Sequence, residues 1–138
     1  MVQLIYGLAK FSNQKYGFGS RPKKLNKKFF LNSIKDYFKH FECSDRYRGS
    51  NKIIKFFYEK KIHFKIDKIP LNKKIKEIEA YFKKKIKIYS DKLNSRKIGV
   101  LYLHENSLDV IKNKKILRVL KKLRKENLVE NFGVSVYA

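Results

Sequence analysis

The sequence predicts an α/β fold, five parallel strands with four helices, forming a partial (β/α)8 TIM barrel that is not closed. Three observations predict it. Short apolar segments alternate with amphipathic ones along the chain, and proton-active side chains fall near the C-terminal ends of three successive strands. The length of 138 residues suits one domain but not the ~250 residues of a complete barrel.

The elements follow in order. Leu4–Leu8 reads as a first strand, and Phe30, Ile34 and Tyr37 as the apolar stripe of a first helix. Phe38–Cys43 is a second strand. Ile53 and Phe57 mark a second helix, with Ser50 as its capping candidate. Ile62–Lys68 is a third strand. Ile75, Ile78, Phe82, Ile86, Tyr89 and Leu93 recur at steps of three or four and lie on one face of a third helix. Ile98–His104 is a fourth strand, Ile116, Leu120 and Leu123 stripe a fourth helix, and Asn127 stands where a helix end favours a left-handed residue. Asn131–Val136 is a fifth strand. No repeat and no linker divides the chain, so residues 1–138 form a single domain. Strict alternation implies parallel strands with right-handed crossovers, which leaves a doubly wound sheet or a barrel.

Composition bounds the function. The net charge of +23 would suggest a polyanion partner, and a basic nucleic-acid-binding module is the alternative reading. Only six of the 35 basic residues are arginine, however, and lysine pairs such as Lys23-Lys24, Lys73-Lys74 and Lys121-Lys122 are spread over the helices as solvated faces would be. Abundant Lys, Ile, Asn, Phe and Tyr also match A/T-rich codons. Nucleic-acid contact beyond nonspecific attraction is therefore not expected. The apolar run Ile98–Leu103 is too short to cross a bilayer. The lone Cys43 and the absence of zinc-type spacing point to a cytoplasmic protein with no structural metal.

Candidate site residues decide between sheet and barrel. By the two-residue period Ile62, Phe64, Ile66 and Lys68 share a face of strand three, and Ile98, Val100, Tyr102 and His104 share a face of strand four. Each series ends in a proton-active group. Glu42 closes strand two, and Tyr47 follows in its loop. Each residue alone has an ordinary structural explanation, but four at equivalent places in three βα units match a barrel, whose reactive groups lie at the C-terminal rim.

The segment Ile98-Gly-Val-Leu-Tyr-Leu-His104 resembles the strand-four motif of the aldo-keto reductases, and Leu120–Tyr137 resembles the helix and strand that follow it. Phe41-Glu-Cys-Ser-Asp-Arg-Tyr-Arg-Gly-Ser50 is similar to that family's Asp-Thr-Ala-x-x-Tyr-Gly stretch, and Ile66-Asp-Lys-Ile69 to its Thr-Lys strand end. Leu4–Phe11 and Lys15–Phe18 resemble its first strand and loop. The resemblance covers nearly the whole chain and the first half of the family's barrel.

It implies carbonyl reduction by hydride from NADPH, with a small carbonyl substrate. Tyr47 would be the general acid, Lys68 would tune its phenol, Glu42 would hold the lysine, His104 would orient the carbonyl, and Ser135 would bond the nicotinamide carboxamide. Glu42 stands where the family has aspartate, Arg48 where it has glycine, Asp67 where it has threonine, and Val136 where many members have asparagine. The family's pyrophosphate-gripping loops follow strands seven and eight. The chain is accordingly expected to be truncated, to bind NADPH weakly, to be inactive alone, and to be open to self-association through its sheet edges.

Overall fold

The computed structural model describes residues 4–11, 27–47, 53–93 and 97–136. Within them run β1 (Ile5–Gly7), α1 (Lys27–Tyr37), β2 (His40–Ser44), β3 (Lys61–Ile66), α2 (Ile75–Leu93), β4 (Ile98–Leu103), the short α3 (Leu108–Ile111), α4 (Lys114–Lys125) and β5 (Val129–Val134). Two 3-10 turns, Leu8–Phe11 and Ile54–Phe57, follow β1 and precede β3. The expected second helix is represented among the described residues by the latter turn, in which Ile54 and Phe57 are buried. Ser50 and Arg48 lie outside the described residues, as do Lys15–Phe18 and the side chain of Phe30.

All four strand pairings are parallel, and the sheet order is β1-β2-β3-β4-β5. A doubly wound sheet reverses direction at a switch point, whereas this one adds every strand on the same side, as a barrel does. The sheet is therefore five staves of an α/β barrel, open between β1 and β5.

The core lies between the sheet and the helices. Phe41 and Cys43 of β2, Ile62, Phe64 and Ile66 of β3, and Leu101 and Leu103 of β4 are buried against the stripe Ile78, Phe82, Ile86, Tyr89 and Leu93 of α2 and Ile116, Val119, Leu120 and Leu123 of α4. The rings of Phe64 and Tyr89 meet at 3.9 Å, and those of Phe41 and Phe57 stack at 4.0 Å. Asn113 caps α4 by accepting from the Lys115 and Ile116 N–H groups, and Asn127 leaves it with φ 60°.

Three expectations are corrected. Tyr37 is not in the α1 stripe but 85% exposed, and Leu31 buries alongside the expected Ile34. The side chains of β4 do not alternate uniformly: Ile98 joins Leu101 and Leu103 in the core, while Gly99 faces His63. The Val100 N–H donates to His63 Nδ1 at 3.1 Å, and the β3–β4 register begins at Phe64 and Leu101, so the parity shifts at Gly99-Val100. Finally, β2 runs on to Ser44, which places Glu42 inside the strand rather than at its end.

Candidate active site

Opposite the helices the sheet presents His40 and Glu42 of β2, His63 and Lys65 of β3, and Tyr102 of β4. Glu42, Lys65, Tyr102 and Ser135 line an open depression of about 300 Å³ together with Gly7. That is the lower end of the ~300–1,000 Å³ usual for small-molecule sites. Gly133 lets Tyr102 lie close on β5, since a Cβ there would sit 3.2 Å from the ring.

One oxygen organises the cluster. Glu42 Oε2 is 3.5 Å from Lys65 Nζ and 3.5 Å from the Tyr47 hydroxyl, the latter a long contact for an O–H donor. The carboxylate and ammonium side chains are only 16% and 13% exposed, so their attraction is weakly screened. Burial raises the Glu42 carboxyl above its ordinary range, opposed first by Lys65 and then by the Tyr47 bond. Its second oxygen, Oε1, is buried without a hydrogen-bond partner among the described residues. Burial also raises the Tyr102 phenol, reinforced by Glu42.

Tyr47 is delivered by a tight turn. Its N–H donates to the Ser44 carbonyl at 3.2 Å, and the Arg46 N–H donates to Ser44 Oγ at 3.2 Å. Asp45 pins that turn by accepting from the Asp67 N–H at 2.9 Å and from Lys85 Nζ at 2.8 Å.

A second cluster stands on the same C-terminal rim. Arg46 Nη1 lies 3.1 Å from His104 Nε2 and 3.5 Å from Asp67 Oδ1. His104 is 7% exposed, and its backbone N–H donates to the Ile66 carbonyl, which fixes the end of β4 to that of β3. Burial lowers the imidazole pKa, Lys65 lowers it further, and Asp67 opposes both.

Of the residues singled out in the sequence, Glu42 and Tyr47 are brought together, Ser135 lines the same depression, and His104 stands on the rim with Arg46 and Asp67. Lys68 is not brought to Glu42. It is exposed, its carbonyl accepts from the Tyr81 hydroxyl at 2.6 Å, and it lines a second surface depression with Asp45, Arg46, Asp67, Tyr81 and Lys85. The reason is parity. Lys68 continues the series Ile62, Phe64 and Ile66, which faces the helices, whereas Lys65 points to the opposite face. Lys65, Arg46 and Tyr102 are the residues that motif spacing missed. The two-residue period counted back from Lys68 would have flagged Lys65 as the lysine of the other face.

Tyr102 and Ser135 give that depression an aromatic wall and a hydroxyl, groups that fit a nicotinamide ring and its carboxamide. Among the described residues no group of three or more His, Cys, Asp or Glu side chains could hold a metal ion, and no helix is long and apolar enough to cross a membrane.

The sequence matches no protein-family profile and no curated protein. Solved structures do match. An aldo-keto reductase from Pseudomonas aeruginosa superposes with a TM-score of 0.69 at 16% identity, over 95% of this chain and 54% of its own. One from Bacillus halodurans gives 0.65 at 14% identity, over 96% and 45%. One from Klebsiella pneumoniae in complex with NADPH gives 0.59 at 14%, over 78% and 38%. The chain thus has the fold of part of an aldo-keto reductase barrel and spans about half the length of the first of these structures.

Proposed function

We propose that these five strands carry the proton-handling side of a cytoplasmic, NADPH-dependent carbonyl reductase. The observation that supports it is the meeting of a phenol, a carboxylate and an ammonium at Glu42 Oε2, on the inner face of a sheet with the reductase fold. NADPH, when bound, would supply the hydride. Tyr47 would give its proton to the carbonyl oxygen. Lys65, rather than Lys68, would stabilise the phenolate left behind, and Glu42 would hold that ammonium in place. Ser135 would bond the carboxamide of the nicotinamide. Turnover by the 138 residues alone would be weak, because the resemblance puts the phosphate-gripping loops beyond strand five.

A second reading is a catalytically silent chain, and the contact of Arg46 Nη1 with His104 Nε2 favours it, because it occupies the nitrogen that would face a carbonyl. The charge-based nucleic-acid reading is not favoured. Lys83 and Lys122, for example, are paired with Glu79 and Glu126 on helix surfaces.

NADPH consumption with short aliphatic and aromatic aldehydes, at cofactor concentrations shown by calorimetry to saturate the chain, separates the two. The reductase reading expects aldehyde-dependent consumption that Tyr47→Phe abolishes, that Lys65→Met lowers about 100-fold, and that Lys68→Met leaves unchanged. Consumption that survives Tyr47→Phe refutes it. No consumption at saturation, or no binding at all, supports the silent chain.

A further inference from the structure

We propose that Arg46 is a positioning residue that fixes His104 as the neutral imidazole with its proton on Nδ1, so that the donor offered at this corner of the rim is the guanidinium and not the imidazole. The first half of this rests on geometry alone, and the second half rests on the carbonyl-reductase reading.

A guanidinium has five N–H donors and no acceptor, and it does not lose its charge in a protein. At 3.1 Å from Arg46 Nη1, His104 Nε2 can therefore only be the acceptor. A proton on that nitrogen would set N–H against N–H and a positive charge against a positive charge. The ring's remaining proton is then on Nδ1. The surroundings agree: His104 is buried, Lys65 and Arg46 disfavour a second charge there, and among the described residues Asp67, 3.9 Å from Nε2, and Asp45 act the other way.

Arg46 is itself placed with care. It follows Asp45, which is tied to β3 through the Asp67 N–H and to α2 through Lys85, and it precedes Tyr47 in the chain. Its guanidinium is aimed by Asp67 Oδ1 at 3.5 Å and remains half exposed. An unprotonated Nε2 would repel a carbonyl oxygen, whereas a guanidinium beside it can stabilise the negative charge that grows on that oxygen. His104 then works through Arg46, as the acceptor that holds the guanidinium at the rim.

Nitrogen NMR of the purified chain with ring-labelled histidine tests this without requiring turnover. The expected result is that His104 shows the Nδ1–H tautomer at neutral pH, keeps it in Arg46→Lys, and reverts in Arg46→Met to the Nε2–H form that free histidine prefers. An Nε2–H tautomer in the wild-type chain overturns the proposal, and so does an Nδ1–H tautomer that persists in Arg46→Met. If Arg46→Met does not fold, Arg46→Gln is the substitute, and a mixed or Nε2–H population is expected. Where aldehyde-dependent turnover is measurable, Arg46→Gln is expected to lower kcat at least 10-fold with little change in KM. An unchanged kcat overturns the catalytic half while leaving the tautomer assignment standing. Absence of turnover in the wild-type chain, with the tautomer as expected, sinks the reductase reading alone.

Discussion

Mild acid should weaken this fold through a hydrogen-bonded chain that crosses three strands at the N-terminal side of the inner face. The Val100 N–H of β4 donates to His63 Nδ1 at 3.1 Å, so the proton of that imidazole is on Nε2, 2.9 Å from His40 Nδ1, to which it donates. A second proton on His63 would replace the acceptor facing Val100 with a donor. Burial, then His40 and Lys61, push its pKa down from 6.5 to about 4, with Glu130 opposing, and burial followed by Lys61 lowers His40 as well. The folded pKa is below the unfolded one, so the unfolded chain takes up protons first. The neutral array's contribution is complete above 6.5 and is lost as the pH falls toward about 4. At about 1.4 kcal/mol per unit the shift amounts to ~3 kcal/mol, which partial solvent access reduces to about 2 kcal/mol. Urea unfolding at pH ~7 and ~4.5 should show the midpoint falling by about 1 M. Glu42 works in the opposite sense, because its raised carboxyl pKa makes the folded state gain stability as the pH falls. The comparison that isolates the imidazole is therefore His63→Asn, whose amide oxygen can still accept from Val100 but does not titrate. If that variant loses as much stability between the two pH values as the wild type, the argument is refuted.

Three further outcomes are expected from urea denaturation at neutral pH. Lys65→Met leaves the Glu42 carboxylate buried without its cation and should cost about 2 kcal/mol, whereas Lys68→Met, on an exposed side chain, should stay within about 0.5 kcal/mol. Equal costs would contradict the different placement of the two lysines. Phe64→Ala removes a fully buried ring packed against Tyr89 and should cost about 3–5 kcal/mol, against about 1 kcal/mol for Tyr102→Ala on the inner face. Similar losses would mean that the inner face carries as much of the core as the outer. Gly99→Ala places a methyl 3.0 Å from His63 Cε1 and 3.1 Å from Lys61 Cγ, and should cost about 1–3 kcal/mol while lowering hydrogen-exchange protection at Val100. Unchanged protection there would show that His63 is not displaced.

The order of elements was legible because it depends only on period. The α2 stripe from Ile78 to Leu93 is buried as its three- and four-residue steps require, and Asn127 takes the left-handed conformation that its place after α4 suggests. The short helix α3 was not legible, since Leu108–Ile111 is a single turn with only Val110 buried. Side-chain direction was the harder problem. A strand offers two faces, and the series Ile62, Phe64 and Ile66 says that one is apolar without saying whether it meets helices or a barrel interior. Only the pairing of β3 with its neighbours decides that, and it sends Lys65 inward instead of Lys68. The contact of Arg46 with His104 joins residues 58 apart in sequence, and no local pattern encodes it.

The division of labour between the two faces explains why so polar a sheet holds together. Barrel interiors are usually layered with branched apolar side chains. Here the outer face carries the buried aliphatic and aromatic groups, and the inner face is crossed by polar bridges: His40 to His63, Lys65 to Glu42, and Lys61 to Glu130. The last of these spans from β3 to β5, over β4. A side chain on β4 at that level would block it, and the residue there is Gly99, over which Lys61 and His63 both pass. Tyr102 lies on Gly133 of the next strand in the same way. Glycine at these two positions therefore serves neighbouring side chains rather than its own backbone, by letting long polar groups lie flat across a strand and find partners. The proton-handling groups at Glu42 and the imidazole pair at His63 follow from that arrangement. Polar side chains on the inner face are held by one another, and the apolar layer that stabilises the sheet is left undisturbed behind them.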